Sequence, residues 1–101
     1  MHLIQLFLPL YDNKHQALPG SLFNEVRQEL VERFGGLTAF SRAPVKGLWQ
    51  DNDDTVQDEL VIYEVMAKTL DRSWWADYRA TLETRFRQEQ IVVRTHEISL
   101  L

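Results

Sequence analysis

The chain has 101 residues, of which 45% are hydrophobic and 26% charged, proportions typical of one globular domain spanning residues 1–101. It contains no cysteine, which excludes disulfides, thiolate metal sites and a cysteine nucleophile and fits a reducing compartment. The formal charge of -4, without any basic run, argues against a nucleic-acid partner, because phosphates are bound by clustered lysine and arginine. The N-terminal apolar stretch lacks a positive leader and is too short to span a bilayer. We therefore expect a cytoplasmic protein with no membrane partner.

The first half of the chain predicts a strand, a helix and a second strand. Residues 3–8 form a nearly continuous apolar run that ends at Pro9, as in a strand covered on both faces. After a turn-rich loop, Ser21 is expected to cap a helix whose apolar side chains fall within a sector of about 120°. Gly35 is expected to end this helix in the left-handed conformation. Residues 37–43 then predict a strand closed by Pro44.

The second half repeats this order. Residues 45–58 are rich in acids and are predicted to form a long hairpin loop, and residues 59–66 form the strongest strand in the chain. Asp71 or Ser73 is expected to cap a second helix with an aromatic stripe, and residues 91–98 predict the last strand.

The element order predicts an α+β fold of the ferredoxin-like β-α-β-β-α-β type. A short L-x-x-R-F repeat, at residues 30–34 and 82–86, falls at matching places near the ends of the two helices. Right-handed crossovers then place both helices on one face of a four-stranded antiparallel sheet in the order 4-1-3-2.

The face of the sheet that the helices leave uncovered is called the free face below. Side chains alternate along each strand, so its members can be predicted. They are Leu3, Gln5, Phe7, Phe40, Arg42, Leu60, Ile62, Glu64, Met66, Val92, Arg94 and His96. An apolar surface of this size is unusual in a monomer. We therefore expect a second copy to pack sheet against sheet across a two-fold axis.

Glu64 is the strongest candidate for a catalytic residue. It lies in mid-strand among apolar neighbours, where burial in a pocket would raise the pKa of a carboxyl and make it a general base. A structural interpretation stands beside this one: Glu64 forms a salt bridge with Arg42 or Arg94 that fixes the sheet or the dimer.

Five further residues are candidates for ligand binding: Gln5, Arg42, Trp49, Arg94 and His96. His96 can move protons at neutral pH, although a histidine at the end of a strand is more often an ordinary surface residue. Trp49 lies in a polar segment, where it either closes over the free face or packs on a partner subunit. Trp74, Trp75 and Tyr78 have the helical spacing of core residues.

Several kinds of site are excluded by the sequence. It has no phosphate-binding G-x-x-x-x-G-K-[ST] loop and no G-x-S-x-G motif. The acidic run at residues 51–54 lacks the glycine and the final glutamate of a calcium loop. No two histidines are spaced to share a metal ion. We expect neither a metal nor a cofactor.

Two segments carry a resemblance to known proteins. With Gly47-Leu48-Trp49 before an acid-bearing strand and Arg85-Phe86-Arg87-Gln88-Glu89 before the last strand, the chain resembles small uncharacterised bacterial proteins with a ferredoxin-like fold. The topology is also similar to that of the dimeric α+β barrel proteins, which include cofactor-free monooxygenases and isomerases. The first resemblance implies no catalytic residues, and the second is a likeness of fold, which does not fix function.

The sequence therefore predicts a homodimer that binds a small, mostly apolar ligand at the free face. If the protein is an enzyme, the resemblance to the α+β barrel proteins implies cofactor-free chemistry of the proton-transfer, isomerase or monooxygenase type. The alternative is a non-catalytic interaction module that uses the free face as a dry dimer interface.

Overall fold

The computed structural model describes the backbone of residues 1–51 and 54–101 and the side chains of residues 1–40 and 60–101. The elements are β1 (His2–Pro9), α1 (Gly20–Phe34), β2 (Thr38–Asp51), β3 (Asp54–Ala67), α2 (Arg72–Arg85) and β4 (Val93–Glu97). The four strands form one antiparallel sheet in the order β2-β3-β1-β4. Read from the other edge this is 4-1-3-2, so the predicted α+β, ferredoxin-like fold is confirmed.

The core lies between the sheet and the two helices. Ile4, Leu6 and Leu8 of β1 are fully buried, whereas the residues between them are only partly covered. β3 alternates in the same way, with Val61, Tyr63 and Val65 turned into the core. From the helices, the core receives Phe23, Val26, Leu30, Trp75, Tyr78 and Leu82. One face of the sheet is thus covered and the other is free, as the alternation of side chains predicts.

The start of α1 differs from the prediction. The helix begins at Gly20 rather than after Ser21, and Pro19 occupies the N-cap position without any side-chain cap. Pro19 has φ -68 and ψ 146, and its carbonyl oxygen accepts a bond of 3.1 Å from Leu22 N. The fixed φ of proline is compatible with the extended backbone of an N-cap, although proline has no side-chain acceptor for the first turn. At the other end, Gly35 has φ 80, which confirms the left-handed end.

The start of α2 agrees with the prediction of a cap at Asp71 or Ser73. Asp71 is the N-cap, and its carboxylate accepts a bond of 3.0 Å from Trp74 N. Trp75 and Tyr78 are buried, and Trp74 is partly covered between the stacked ring of Tyr78 and the guanidinium of Arg33. The aromatic stripe is therefore part of the core, as predicted.

No helix among the described residues is long and apolar enough to cross a membrane.

The segment between β2 and β3 is the largest departure from the prediction. The sequence predicts a loop over residues 45–58, but β2 runs on to Asp51 and β3 starts at Asp54. The two strands pair continuously from Val45↔Leu60 to Asp51↔Asp54. Pro44 does not end β2, because it falls within the register shift between Phe40 and Val45, and proline is tolerated at such irregularities. The result is a ribbon that continues past the end of β1.

Candidate functional site

The centre of the free face is set by three strands in register. Gln5 of β1 is paired with Glu64 of β3 on one side and with Arg94 of β4 on the other. Residues opposite one another in neighbouring strands share a face of the sheet. The two flanking positions of β1, Leu3 and Phe7, bring their own neighbours to the same face.

The three polar side chains at this centre form a continuous hydrogen-bonded chain, called the polar relay below. Arg94 Nε donates to Gln5 Oε1 at 2.8 Å, and Gln5 Nε2 donates to Glu64 Oε1 at 2.7 Å. The amide of Gln5 is thus fixed with its oxygen toward the guanidinium and its nitrogen toward the carboxylate. Bonds to charged groups are stronger than bonds between neutral groups. The relay therefore holds a positive and a negative group at fixed positions on the sheet.

Arg94 is held by a second contact as well. Its guanidinium carbon lies 4.7 Å from the centre of the Phe7 ring, within the range of a cation–π interaction. This contact and the bond to Gln5 restrict a long side chain that would otherwise move freely at the surface. The positive end of the relay is therefore preorganised.

Apolar side chains surround the relay. Phe40, Met66 and Val92 are 47%, 48% and 50% exposed, and Leu3, Phe7 and Ile62 are partly covered. Phe40 is paired with Ile62 across β2 and β3, so the apolar surface continues from one side of the sheet to the other. A fixed polar group within an exposed apolar surface is typical of a ligand site or a protein interface.

The structure brings together three of the predicted site residues: Gln5, Glu64 and Arg94. His96 is exposed on β4, opposite Leu3 and two residues beyond Arg94. The side chains of Arg42 and Trp49 lie outside the described residues. The direct salt bridge predicted between Glu64 and Arg94 is not formed, because Gln5 lies between the two strands and bonds to both.

Two surface grooves lie beside the helices, and Arg94 of the relay lines the smaller one. One lies between α2 and β4, has a volume of about 220 Å³ and is flanked by Arg72 and Arg79. The other, of about 590 Å³, lies near the start of α2 beside Trp74 and Lys68. Neither groove is lined by Gln5 or Glu64.

Within the described residues, no group of histidines and acids could hold a metal ion.

A charged cluster that the sequence does not reveal joins the two helices. Arg85 donates to both carboxylate oxygens of Glu29, at 2.6 and 2.9 Å, and the Tyr78 hydroxyl donates to the same carboxylate at 2.9 Å. The bonds from Arg85 hold the pKa of the Glu29 carboxyl below its usual value, and those bonds raise the pKa of Arg85. Burial, followed by the bond to Glu29, raises the pKa of Tyr78. This cluster lies on the helix side and serves stability.

We expect Glu29→Gln to lower the free energy of unfolding by about 1–2 kcal/mol at pH 7, since it removes the charge that Arg85 binds. Because the pKa of folded Glu29 lies below that of an unfolded glutamate, its contribution is complete above about pH 5 and is lost as the pH falls through the folded value. Denaturant titrations between about pH 3 and pH 7 measure this difference.

The matched control is Glu25→Gln. Glu25 lies 3.4 Å from Arg85 but its side chain is 51% exposed, so we expect a loss below about 0.5 kcal/mol. A destabilisation by Glu29→Gln that is the same at pH 3 and pH 7 would contradict this assignment.

Comparison with known proteins supports the fold. No protein-family model and no curated protein matches the chain. Among solved structures, a phage SAM lyase in complex with S-methyl-5'-thioadenosine is similar, with a TM-score of 0.58 and 15% sequence identity, over 95% of this chain and 80% of that chain. At this identity the likeness shows the fold alone. Membership of the small bacterial group with the G-x-W and R-F-x-Q-E segments stays a prediction.

Proposed function

We propose that the protein is a homodimer that binds a small, partly apolar organic ligand between two free faces. The observation that carries this proposal is the polar relay: Arg94, Gln5 and Glu64 are locked together by bonds of 2.8 and 2.7 Å within an exposed apolar surface. The relay would bind the polar part of the ligand, and the apolar side chains around it would bind the rest.

The need to cover the free face supports a second copy. Phe40, Met66 and Val92 each expose about half of their surface in one chain. The first two lie on β2 and β3, and Val92 directly precedes β4. Burying apolar surface contributes roughly 25 cal/mol per Å². Two copies that pack face to face about a two-fold axis would cover the same surface on each other, as in most dimers.

The relay supports a lined cavity over a dry interface. A charged carboxylate and a guanidinium are costly to bury unless each is fully bonded. Gln5 bonds to only one oxygen of Glu64 and to one N–H of Arg94, whereas a carboxylate can accept about four bonds and a guanidinium can donate five. A ligand with hydroxyl, amine or carbonyl groups would complete these bonds inside the dimer.

The similarity to the phage SAM lyase is consistent with the proposal of a small-molecule enzyme. The structure of that lyase holds S-methyl-5'-thioadenosine, a compound that combines an apolar thioether with ribose hydroxyls. Hydroxyls of this kind donate to carboxylates such as Glu64. We therefore propose a ligand of similar size with both apolar and hydroxyl or amine groups, and S-methyl-5'-thioadenosine is a suitable first probe.

If the site is catalytic, the chemistry it favours is cofactor-free proton transfer. Glu64 would act as the general base, and the guanidinium of Arg94 would stabilise the negative charge that develops on the substrate. His96, on the same face, would be able to relay a proton to solvent. Of these roles, that of Glu64 is the most direct to test.

The second candidate is a non-catalytic module whose free face is only an interface. The positions of the two grooves favour it: Arg94 lines the smaller groove, but neither groove is lined by Gln5 or Glu64. In that case the relay would serve to set the register of the two copies, a known use of buried polar groups.

The test compares the small molecules bound to the wild type and to Glu64→Gln. Each purified protein is extracted with solvent, and the released compounds are identified by mass spectrometry. Each is also titrated with S-methyl-5'-thioadenosine up to about 1 mM, the affinity limit of a weak site. We expect the wild type to retain or bind a compound, and Glu64→Gln to bind it at least about tenfold more weakly, since a hydrogen bond to a charged group contributes about 1.5–3 kcal/mol.

The control is Glu32→Gln, which makes the same change on the exposed side of α1 and should bind as the wild type does. Absence of any bound compound together with no binding of the probe would favour the interface module. Equal binding by the wild type and Glu64→Gln would remove Glu64 from the site.

A further inference from the structure

β4 forms one edge of the sheet, and part of its backbone is open. Phe7 N donates to Val92 O at 3.0 Å, and Ile98 N donates to Met1 O at 2.9 Å. In an antiparallel pair, residues alternate between those whose backbone groups face the partner strand and those whose groups face away. Val93, Thr95 and Glu97 therefore direct their N–H and C=O groups toward the open edge, where another strand could pair with them.

A groove lies directly beside this edge. Ile4, Trp75 and Val93 form its apolar floor, and the small side chain of Ala76 lines its wall. Thr95 lines the groove and lies opposite Ile4 in the register. The volume of about 220 Å³ is below the range of about 300–1,000 Å³ for drug-sized ligands. The groove is instead of a size to hold one apolar side chain.

Three arginines line the groove. One of them, Arg94, is already bonded to Gln5 in the polar relay, and the other two lie on α2. Arg72 and Arg79 stand seven residues apart on α2, and this spacing places them on one face of the helix. The ion pairs among the described side chains involve Arg33, Arg85 and Arg87 but neither of these two. In a chain of net charge -4, the groove is thus a local positive site.

We propose that the β4 edge binds an extended segment of a partner protein in which one apolar residue has an acidic residue two positions to each side. The segment would add a fifth strand next to β4. Its apolar side chain would occupy the groove, and acidic side chains two residues to either side would pair with Arg72 and Arg79. Recognition of this kind takes affinity from the backbone bonds and specificity from alternate side chains.

The spacing supports this mode of binding. Arg72 and Arg79 are about 10 Å apart along the helix axis at 1.5 Å per residue, and side chains two residues apart in a strand are about 7 Å apart. One acid two residues to each side of an apolar residue places the two carboxylates about 14 Å apart. The length of the arginine side chains allows the two guanidiniums to reach both. A second copy of the chain is a poorer fit, because its own β4 offers only one carboxylate, that of Glu97, for two arginines.

The test uses a fluorescent, capped peptide, Thr-Glu-Thr-Leu-Thr-Glu-Thr, and measures its binding by anisotropy. We expect a Kd below about 100 μM for the wild type. Thr95→Pro removes an N–H that points to the open edge and should weaken binding at least about tenfold, whereas Thr95→Ala keeps that N–H and should bind within about twofold. Arg79→Glu should weaken binding at least about tenfold.

The charge control is Lys14→Glu, the same change of charge on the exposed loop before α1, which should bind within about twofold of the wild type. A second peptide with lysine in place of both glutamates should bind at least about tenfold more weakly than the first. Circular dichroism checks that each variant folds, and Arg79→Glu and the second peptide keep the test valid if Thr95→Pro does not.

Three results would overturn the proposal. The first is no binding of the acidic peptide by the wild type at about 1 mM. The second is equal weakening by Arg79→Glu and Lys14→Glu, which would mean unspecific charge attraction. The third is a change of oligomeric state in Thr95→Pro without any peptide, which would assign the edge to a second copy of the chain.

Discussion

Phe86→Ala is expected to lower the free energy of unfolding by about 3–5 kcal/mol, the range for removal of a buried phenylalanine. Phe86 follows the last turn of α2 and is fully buried. Its ring meets that of Phe23 edge to face, with 5.2 Å between centroids, so it joins the two helices above the sheet. The cavity left by alanine would lie where these elements meet, and rigid neighbours would fill it only in part.

Urea denaturation at one fixed protein concentration measures this effect, because the stability of a dimer depends on concentration. Phe86→Leu is the matched control and should cost less than about 1.5 kcal/mol, since it keeps most of the volume. A loss below about 1 kcal/mol for Phe86→Ala would show that Phe86 does not connect the helices as the structure describes.

Ile62→Lys is expected to raise the dissociation constant of the proposed dimer at least about a hundredfold. Ile62 lies near the middle of the free face, paired with Phe7 on one side and Phe40 on the other. Its side chain points away from the core, so lysine is compatible with the fold of one chain. In the proposed dimer, the same lysine would place an unpaired charge within an apolar contact.

Sedimentation equilibrium over a range of concentrations measures the dissociation constant. Val31→Lys is the control, because Val31 is an exposed apolar residue on α1 and does not lie on the sheet. It should leave the dimer unchanged. If Ile62→Lys dimerises as strongly as the wild type, the dimer does not form through the free face.

The two faces of the sheet are predictable because polar residues mark one of them. The sequence of β1 is a nearly continuous apolar run, but Gln5 on β1 and Glu64 on β3 indicate the set that faces away from the helices. Ile4, Leu6 and Leu8 are buried on the opposite face. The two helical stripes then leave one arrangement in which both helices cover the same face. For this reason, the strand order and the free-face positions of Gln5, Glu64 and Arg94 follow from the sequence.

The ends of two elements are not predictable in this way. The acids and Pro44 between residues 44 and 58 are typical of a loop, but the strands β2 and β3 extend through them because a register shift accommodates the proline. At Pro19, the fixed backbone of proline starts α1 before the serine that the sequence favours as a cap. In both cases the backbone conformation overrules the local preference of the neighbouring residues.

The polar relay is only half predictable. The sequence indicates that Glu64 and Arg94 share a face, but whether their side chains bond to each other or to Gln5 depends on the register of the strands and on the side-chain conformations. β1 is central, so Gln5 separates the two charges and bonds to both. Likewise, the cluster of Arg85, Glu29 and Tyr78 depends on how the two helices face each other, and no spacing along the chain encodes that.

Native mass spectrometry of the purified wild type, compared with its denatured mass, tests the central proposal most directly. The expected result is a dimer of the 11.9 kDa chain that carries additional noncovalent mass, and this extra mass would begin to identify the ligand. A monomer at micromolar concentration would contradict the proposal, because the cavity between two free faces would then not exist.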